Sequence, residues 1–142
     1  GNSIIAGIGL VQLEHLDIDN ARRREIASWY EEGFASHKDT IRLIPVAENC
    51  TSSRHLFQII VQDRDGLLEY LNQNDIFPGV HYVTNTQYRM FAYADGTCPY
   101  ADYVSDHVLS LPMHLRLTRD DVNLIIEKTI EYCSKRPLLD EK

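Results

Sequence analysis

Apolar residues near the start of the chain do not keep to one side. Over residues 4–16, Ile4, Ile5, Ile8, Leu10, Val11, Leu13 and Leu16 run around most of a helix. A helix that is apolar on every side expects partners on several of them. Gly7 and Gly9 each cost a helix interior about 1 kcal/mol relative to Ala. Beside Ala6 they suggest a small-residue patch where another element comes close. Asp17 and Asp19 offer cap-like starts to a second helix, in which Ile26, Trp29, Tyr30, Gly33 and Phe34 recur at helical spacing. This aromatic stripe reads as core packing.

A polar break at residues 37–40 is followed by two strand-like runs, residues 41–46 and 56–61, the second rich in β-branched side chains. Residues 63–75 return to helical spacing through Leu67, Leu68 and Leu71. Pro78-Gly79 then punctuates the chain before a short strand expected at 80–83. Residues 85–96 alternate polar and aromatic types and read as an ordered loop with one helical turn near 88–93. Residues 98–107 fit a short helix with Pro99 in its first turn, followed by a short apolar run at 108–111. Thr118, with Asp121 three residues on, resembles a capping box with Asp in the Glu position. It opens the clearest helix, carrying Val122, Ile125, Ile126, Thr129, Ile130 and Cys133 and ending at Lys135, Arg136 and Pro137. Residues 137–142 are expected to form a frayed tail. The order of elements predicts an α/β or α+β domain, a small mixed or antiparallel sheet covered by helices.

With 142 residues, 44% of them hydrophobic, the chain has room for one globular domain. The net charge of −7 argues against a nucleic-acid partner, which needs clustered Lys and Arg on one face. The one basic cluster, Arg22, Arg23 and Arg24, is followed by Glu25, Glu31 and Glu32, as on a solvated helix face. No apolar stretch reaches the roughly 18 residues of a membrane span, and the apolar start has no basic leader. Cys50, Cys98 and Cys133 are odd in number and widely spaced, so they build no disulfide framework. A cytoplasmic location is expected, in which the Asn49-Cys50-Thr51 sequon carries no weight.

Local motifs for chemistry are sparse. His15, His37, His55, His81, His107 and His114 include no pair at the i, i+4 spacing of a helical metal site. His55, His81 and His114 could meet only through the tertiary fold, as in a metal-dependent hydrolase. There is no Gly-rich phosphate loop and no G-x-S-x-G elbow. Ser110, in Leu-Ser-Leu-Pro, and His55, at the head of an apolar strand, read as structural residues. Composition and spacing leave the function open.

Three longer segments say more. The first is Ile8-Gly9-Leu10-Val11-Gln12-Leu13-Glu14-His15-Leu16-Asp17, with Arg22-Arg23-Arg24-Glu25-Ile26-Ala27 and Tyr30. The second is His55-Leu56-Phe57, Arg64-Asp65, Tyr70-Leu71 and Gly79-Val80-His81-Tyr82. The third is Cys98-Pro99, Ala101-Asp102, Leu109-Ser110-Leu111-Pro112-Met113-His114, Leu117-Thr118 and Asp121-Val122. In order and spacing, over nearly the whole chain, they resemble the C-terminal part of the DegT-type sugar aminotransferases.

The resemblance implies the small C-terminal domain of a fold-type I enzyme. In such an enzyme pyridoxal phosphate is held on a lysine of a large domain, and an amino group passes from glutamate or glutamine to a keto-sugar, usually nucleotide-linked. This is the chemistry of amino-sugar, surface-polysaccharide and natural-product biosynthesis. It further implies a homodimer with sites at its interface, and it makes residues 1–36 the helices that lead from the large domain and pack on it. By the same resemblance the chain starts just past an Asn-x-Arg-Met-like motif that reaches the cofactor phosphate, with Gly1 where the Met would fall. None of Lys38, Lys128, Lys135 and Lys142 matches the Schiff-base segment. The chain is therefore expected to hold no cofactor and to have no transaminase activity by itself.

His81, Tyr82, Asn85 and Thr86 are the expected substrate-side residues, on an ordered polar loop. Here the sequence departs from many members: Thr84 stands in place of a Pro, and Thr86 lies near a second His that contacts the sugar nucleotide. A neutral hydroxyl cannot supply an imidazolium charge toward a phosphate. A freestanding binding module that keeps the fold without the chemistry is the alternative reading.

Overall fold

One helix, α1 (Ser3–Phe34), runs through the region where the spacing predicts two. The computed structural model describes residues 2–139. Asn2 caps α1, its side-chain oxygen accepting from the Ile5 N–H at 3.0 Å. Asp17 and Asp19 look like caps, but no Pro or Gly lies between Leu10 and Gly33 to interrupt the ladder. Extending a helix is easier than nucleating a second one, so the chain stays helical through them. At 32 residues α1 is about 48 Å long. Its buried residues, Ile26, Ala27, Tyr30 and Phe34, all lie in its last third. Around Gly7 and Gly9 an added Cβ would meet nothing within 4 Å. The close approach suggested by the small residues is therefore not made within the described chain.

Strands β1 (Ile41–Leu43), β2 (Phe57–Val61) and β3 (Val108–Leu111) form an antiparallel sheet in the order β1-β2-β3. Ile41 faces Val61, and Ile59 faces Leu109 across the ladder. Alternation along β2 turns Phe57, Ile59 and Val61 into the main core. Gln58 and Ser110, paired with each other, belong to the opposite face. β1 is shorter than predicted, stopping ahead of Pro45, which has no N–H for a ladder. The strand expected at residues 80–83 does not form. Only Gly79 pairs with Ser110, through hydrogen bonds of 2.9 and 2.8 Å, as an isolated bridge beyond β3.

α2 (Arg64–Gln73) is capped by Asp63, which accepts from the Gly66 N–H at 3.1 Å. α4 (Arg119–Cys133) opens on the expected capping box, with Thr118 and Asp121 satisfying each other's backbone N–H groups. α4 lies along the buried end of α1, and Gly33 permits the approach: a Cβ there would sit 2.5 Å from Ile126 Cδ1. Tyr30 stacks on Phe57 at 4.7 Å between ring centres and donates to the Pro112 carbonyl at 2.9 Å. Burial drives the Tyr30 phenol pKa well up. Its neighbour Trp29 is only half-buried, flanked by the Arg22 and Arg119 guanidinium groups at 4.8 and 5.4 Å from the ring centre. At the other end of the chain, Leu138 N–H donates to the Asp39 carbonyl and Leu139 N–H to Gln62 Oε1. Residues 140–142, to which the expected frayed tail extends, lie outside the described residues.

Candidate functional site

The loop that leaves the sheet at Gly79 carries all four expected substrate-side residues. Gly79 packs closely there: a Cβ would come within 2.7 Å of His81 Cε1, so the ring would have to shift. The His81 ring thus lies against the backbone of the bridge, edge-on to Tyr82 at 5.1 Å and 89°. Gln58, on the outer face of β2, donates its side-chain N–H to the His81 carbonyl at 2.6 Å. The Thr84 N–H donates to Ser105 Oγ at 2.9 Å, and Ser105 is buried in α3 (Pro99–His107). Its carbonyl in turn accepts from Arg64 Nη1 at 3.1 Å.

Beyond Thr84 the chain forms two 3-10 segments, Asn85–Gln87 and Arg89–Ala94, where one helical turn was expected. The Thr84 and Thr86 hydroxyls lie 3.2 Å apart, and Thr86 donates to Asp102 Oδ1 at 2.9 Å. Tyr82 and Asn85 are exposed, whereas His81 and Thr86 are half-buried. The loop is held by side chains from three elements, β2, α3 and itself. That gives it the fixed geometry a binding loop needs.

A cleft of about 780 Å³ lies between α4, the β3–α4 connection and the turn before Gly79. Of the four expected residues only His81 borders it. Two buried polar atoms without a hydrogen-bond partner among the described residues, His81 Nδ1 and Ser110 Oγ, belong to residues that line it. Most of its wall is apolar, including Phe77, Met113 and Leu124, while His114 and Asp121 add polar groups. The Thr118 N–H and hydroxyl, and more weakly His114, hold the Asp121 carboxyl below its ordinary value against the opposing effect of burial.

His55 does not line the cleft of His81 and His114; it borders a second hollow of about 220 Å³ that shares Leu56 with it. Among the described residues no group of three or more His, Cys, Asp or Glu side chains could hold a metal ion. No helix among them is long and apolar enough to cross a membrane. Lys128 donates to Glu131 Oε2 at 2.8 Å, which raises its pKa. Lys38 and Lys135 are exposed, and Lys142 lies outside the described residues.

Gln58, Asp102 and Ser105 escape a reading of the sequence because each meets the loop across a gap of 16 or more positions. Ser110 gives one signal, a lone hydroxyl between two leucines in a buried strand. That pattern alone does not tell a strand end from a cleft residue.

Residues 2–129 match the family described as the DegT/DnrJ/EryC1/StrS aminotransferase family. A curated relative, the dTDP-3-amino-3,6-dideoxy-alpha-D-galactopyranose transaminase of Aneurinibacillus thermoaerophilus, is 30% identical over 130 residues, covering 89% of this chain and 35% of that protein. Among solved structures, the aminotransferase TlmJ from Streptoalloteichus hindustanus is 28% identical with a TM-score of 0.84, over 95% of this chain and 37% of that one. The PLP form of the putative sugar aminotransferase Spr1654 from Streptococcus pneumoniae is 27% identical with a TM-score of 0.85, over 94% and 36%. The chain spans about a third of the length of the relatives it matches.

Proposed function

This chain belongs to the DegT/DnrJ/EryC1/StrS aminotransferase family, and from that premise we propose that it is the C-terminal small domain of a pyridoxal-phosphate-dependent aminotransferase acting on a keto-sugar. The observation that carries the reading is the match of nearly the whole chain, in sequence and in fold, to about a third of sugar aminotransferases. Glutamate or glutamine is the proposed amine donor, and a nucleotide-linked keto-sugar the proposed acceptor.

The described residues do not fit a cofactor site of their own. A Schiff-base lysine needs a free amine near neutral pH, which burial or a neighbouring cation provides. Lys128 has the opposite setting, its ammonium form stabilised by Glu131. Lys38 and Lys135 are exposed. The part assigned to this chain is to present the loop of His81, Tyr82, Asn85 and Thr86 to the sugar, held by Gln58, Ser105 and Asp102. The exposed apolar half of α1 supports a large domain packed on it.

The test uses the full-length parent, purified with excess pyridoxal phosphate. It should show the visible absorbance of lysine-bound cofactor, a borohydride-trapped lysine outside this chain, and glutamate- or glutamine-dependent amination of a keto-sugar. A full-length protein with no trapped lysine and no such absorbance would sink the proposal in favour of a binding module that keeps the fold alone.

A further inference from the structure

Thr86 has one hydroxyl proton, and the structure fixes where it goes. Its Oγ1 lies 2.9 Å from Asp102 Oδ1. A carboxylate only accepts, so Thr86 donates there. The contact between the Thr84 and Thr86 hydroxyls, at 3.2 Å, then has one direction left: Thr84 donates and Thr86 accepts. The two hydroxyls form a relay that runs Thr84 to Thr86 to Asp102 and ends on a carboxylate. The relay itself is anchored, because the Thr84 N–H is tied to the buried Ser105 hydroxyl.

A hydroxyl oxygen carries two lone pairs. Thr84 takes one, so the half-buried Thr86 has one acceptor position left and no proton to offer. We infer that Thr86 is a specificity residue that accepts a hydrogen bond from a neutral donor on the ligand, a sugar hydroxyl or amine, and disfavours a phosphate oxygen. The inference rests on the reading of this loop as the sugar-binding loop. A phosphate oxygen also only accepts, so at Thr86 it would meet a lone pair with the Asp102 carboxylate behind it. Any donation to an acceptor on the ligand falls to the exposed neighbours Asn85 and Tyr82, whose side chains carry amide and phenol protons. Asp102 acts through Thr86 and is a positioning residue.

The test measures steady-state kinetics on the full-length parent with the keto-sugar it turns over, and inhibition by dTDP, the nucleotide in the name of one relative's sugar. Thr86→Val keeps the shape and removes the acceptor. KM for the keto-sugar should rise about 5- to 10-fold, as for the loss of one neutral hydrogen bond, with kcat changed much less. Thr86→Ser, which restores the hydroxyl, should stay within about 2-fold of the parent, and the inhibition constant of dTDP should not move in either variant. An equal loss of dTDP affinity in Thr86→Val would mean that Thr86 reads the phosphate and overturns the inference. So would an unchanged KM, or a Thr86→Ser variant as impaired as Thr86→Val. A parent with trapped cofactor and sugar turnover but the wrong pattern of variants refutes this inference alone. A parent that aminates no sugar removes it together with the proposed function.

Discussion

The two ends of α1 belong to the same unbroken helix and live in opposite environments. Ile26 and Tyr30 are fully buried, while Leu10 is 67% exposed and Ile18 72%. Both ends are rich in apolar side chains, so hydrophobicity does not decide which is covered. At the buried end, Gly33 lets α4 come close and Tyr30 reaches Phe57 and the Pro112 carbonyl. At the exposed end, Gly7 and Gly9 offer the same lack of side-chain bulk, and among the described residues nothing comes within 4 Å of an added Cβ. Exposed apolar surface of this extent is the kind that partners cover. The difference separates a body with its own core from an arm whose apolar surface is left without a partner among the described residues.

The comparison breaks most directly at the centre of the body. Ile59 is fully buried in β2, facing Leu43 on one side and Leu109 on the other. Ile59→Ala should cost about 2–5 kcal/mol of unfolding free energy, from lost burial and the cavity left behind. Denaturant titration of the chain measures it. A cost below about 1 kcal/mol would mean that the sheet is loosely packed and that the body is no better ordered than the arm.

A smaller effect tests how the body ties α2 to α4. Tyr132 donates to Asp63 Oδ2 at 2.6 Å, and Asp63 also caps α2 through the Gly66 N–H. The Tyr132 hydroxyl lowers the Asp63 pKa most; burial opposes it, and the Gly66 N–H and Arg136 add to the lowering. A carboxyl whose folded pKa lies below its ordinary value near 3.8 contributes stability that is full above that value. The contribution is lost as pH falls through the folded pKa. The Asp63 side chain is 45% exposed, so solvent screening keeps the contribution to less than about 1 kcal/mol. Tyr132→Phe should therefore lower stability slightly at pH 6 and flatten its fall below about pH 4. Thermal melts over pH 2.5–6, on the order of half-unit steps, resolve the slope. Parallel curves for the two proteins would remove Tyr132 from the linkage.

How much of this was legible in the sequence depends on the reach of each interaction. The Thr118–Asp121 capping box, the α2 spacing and the β-branched run of β2 were read correctly because their determinants lie within a few residues of one another. The two-helix reading of residues 4–34 failed for a local reason. A cap acts only where the preceding residue leaves the helix, and nothing in the sequence forces that at Asp17 or Asp19. The strand expected at 80–83 failed for a distant one. Its edge partner β3 accommodates only Gly79 before the chain turns to meet Gln58 and Ser105. In the candidate site, family resemblance supplied His81, Tyr82, Asn85 and Thr86. The partners that fix the loop became visible only in three dimensions, and so did the direction of the Thr84–Thr86–Asp102 relay.

The smallest expected effect is the most informative about the arm. Leu10 and Leu13 contact solvent in the isolated chain, and Gln is nearly as good a helix former as Leu. The double substitution Leu10→Gln and Leu13→Gln should therefore change the unfolding free energy of the chain by no more than about 0.5 kcal/mol, as for ordinary surface positions. What should change is association: dilution series followed by light scattering should show less concentration-dependent assembly than the parent chain. If the proposed large domain covers α1 in a full-length parent, the same two substitutions should weaken that packing, by about 25 cal/mol per Å² of apolar area lost. If instead the isolated chain loses more than about 2 kcal/mol, the arm is already buried against a second copy in solution. The two ends of α1 would then differ only in which molecule covers them.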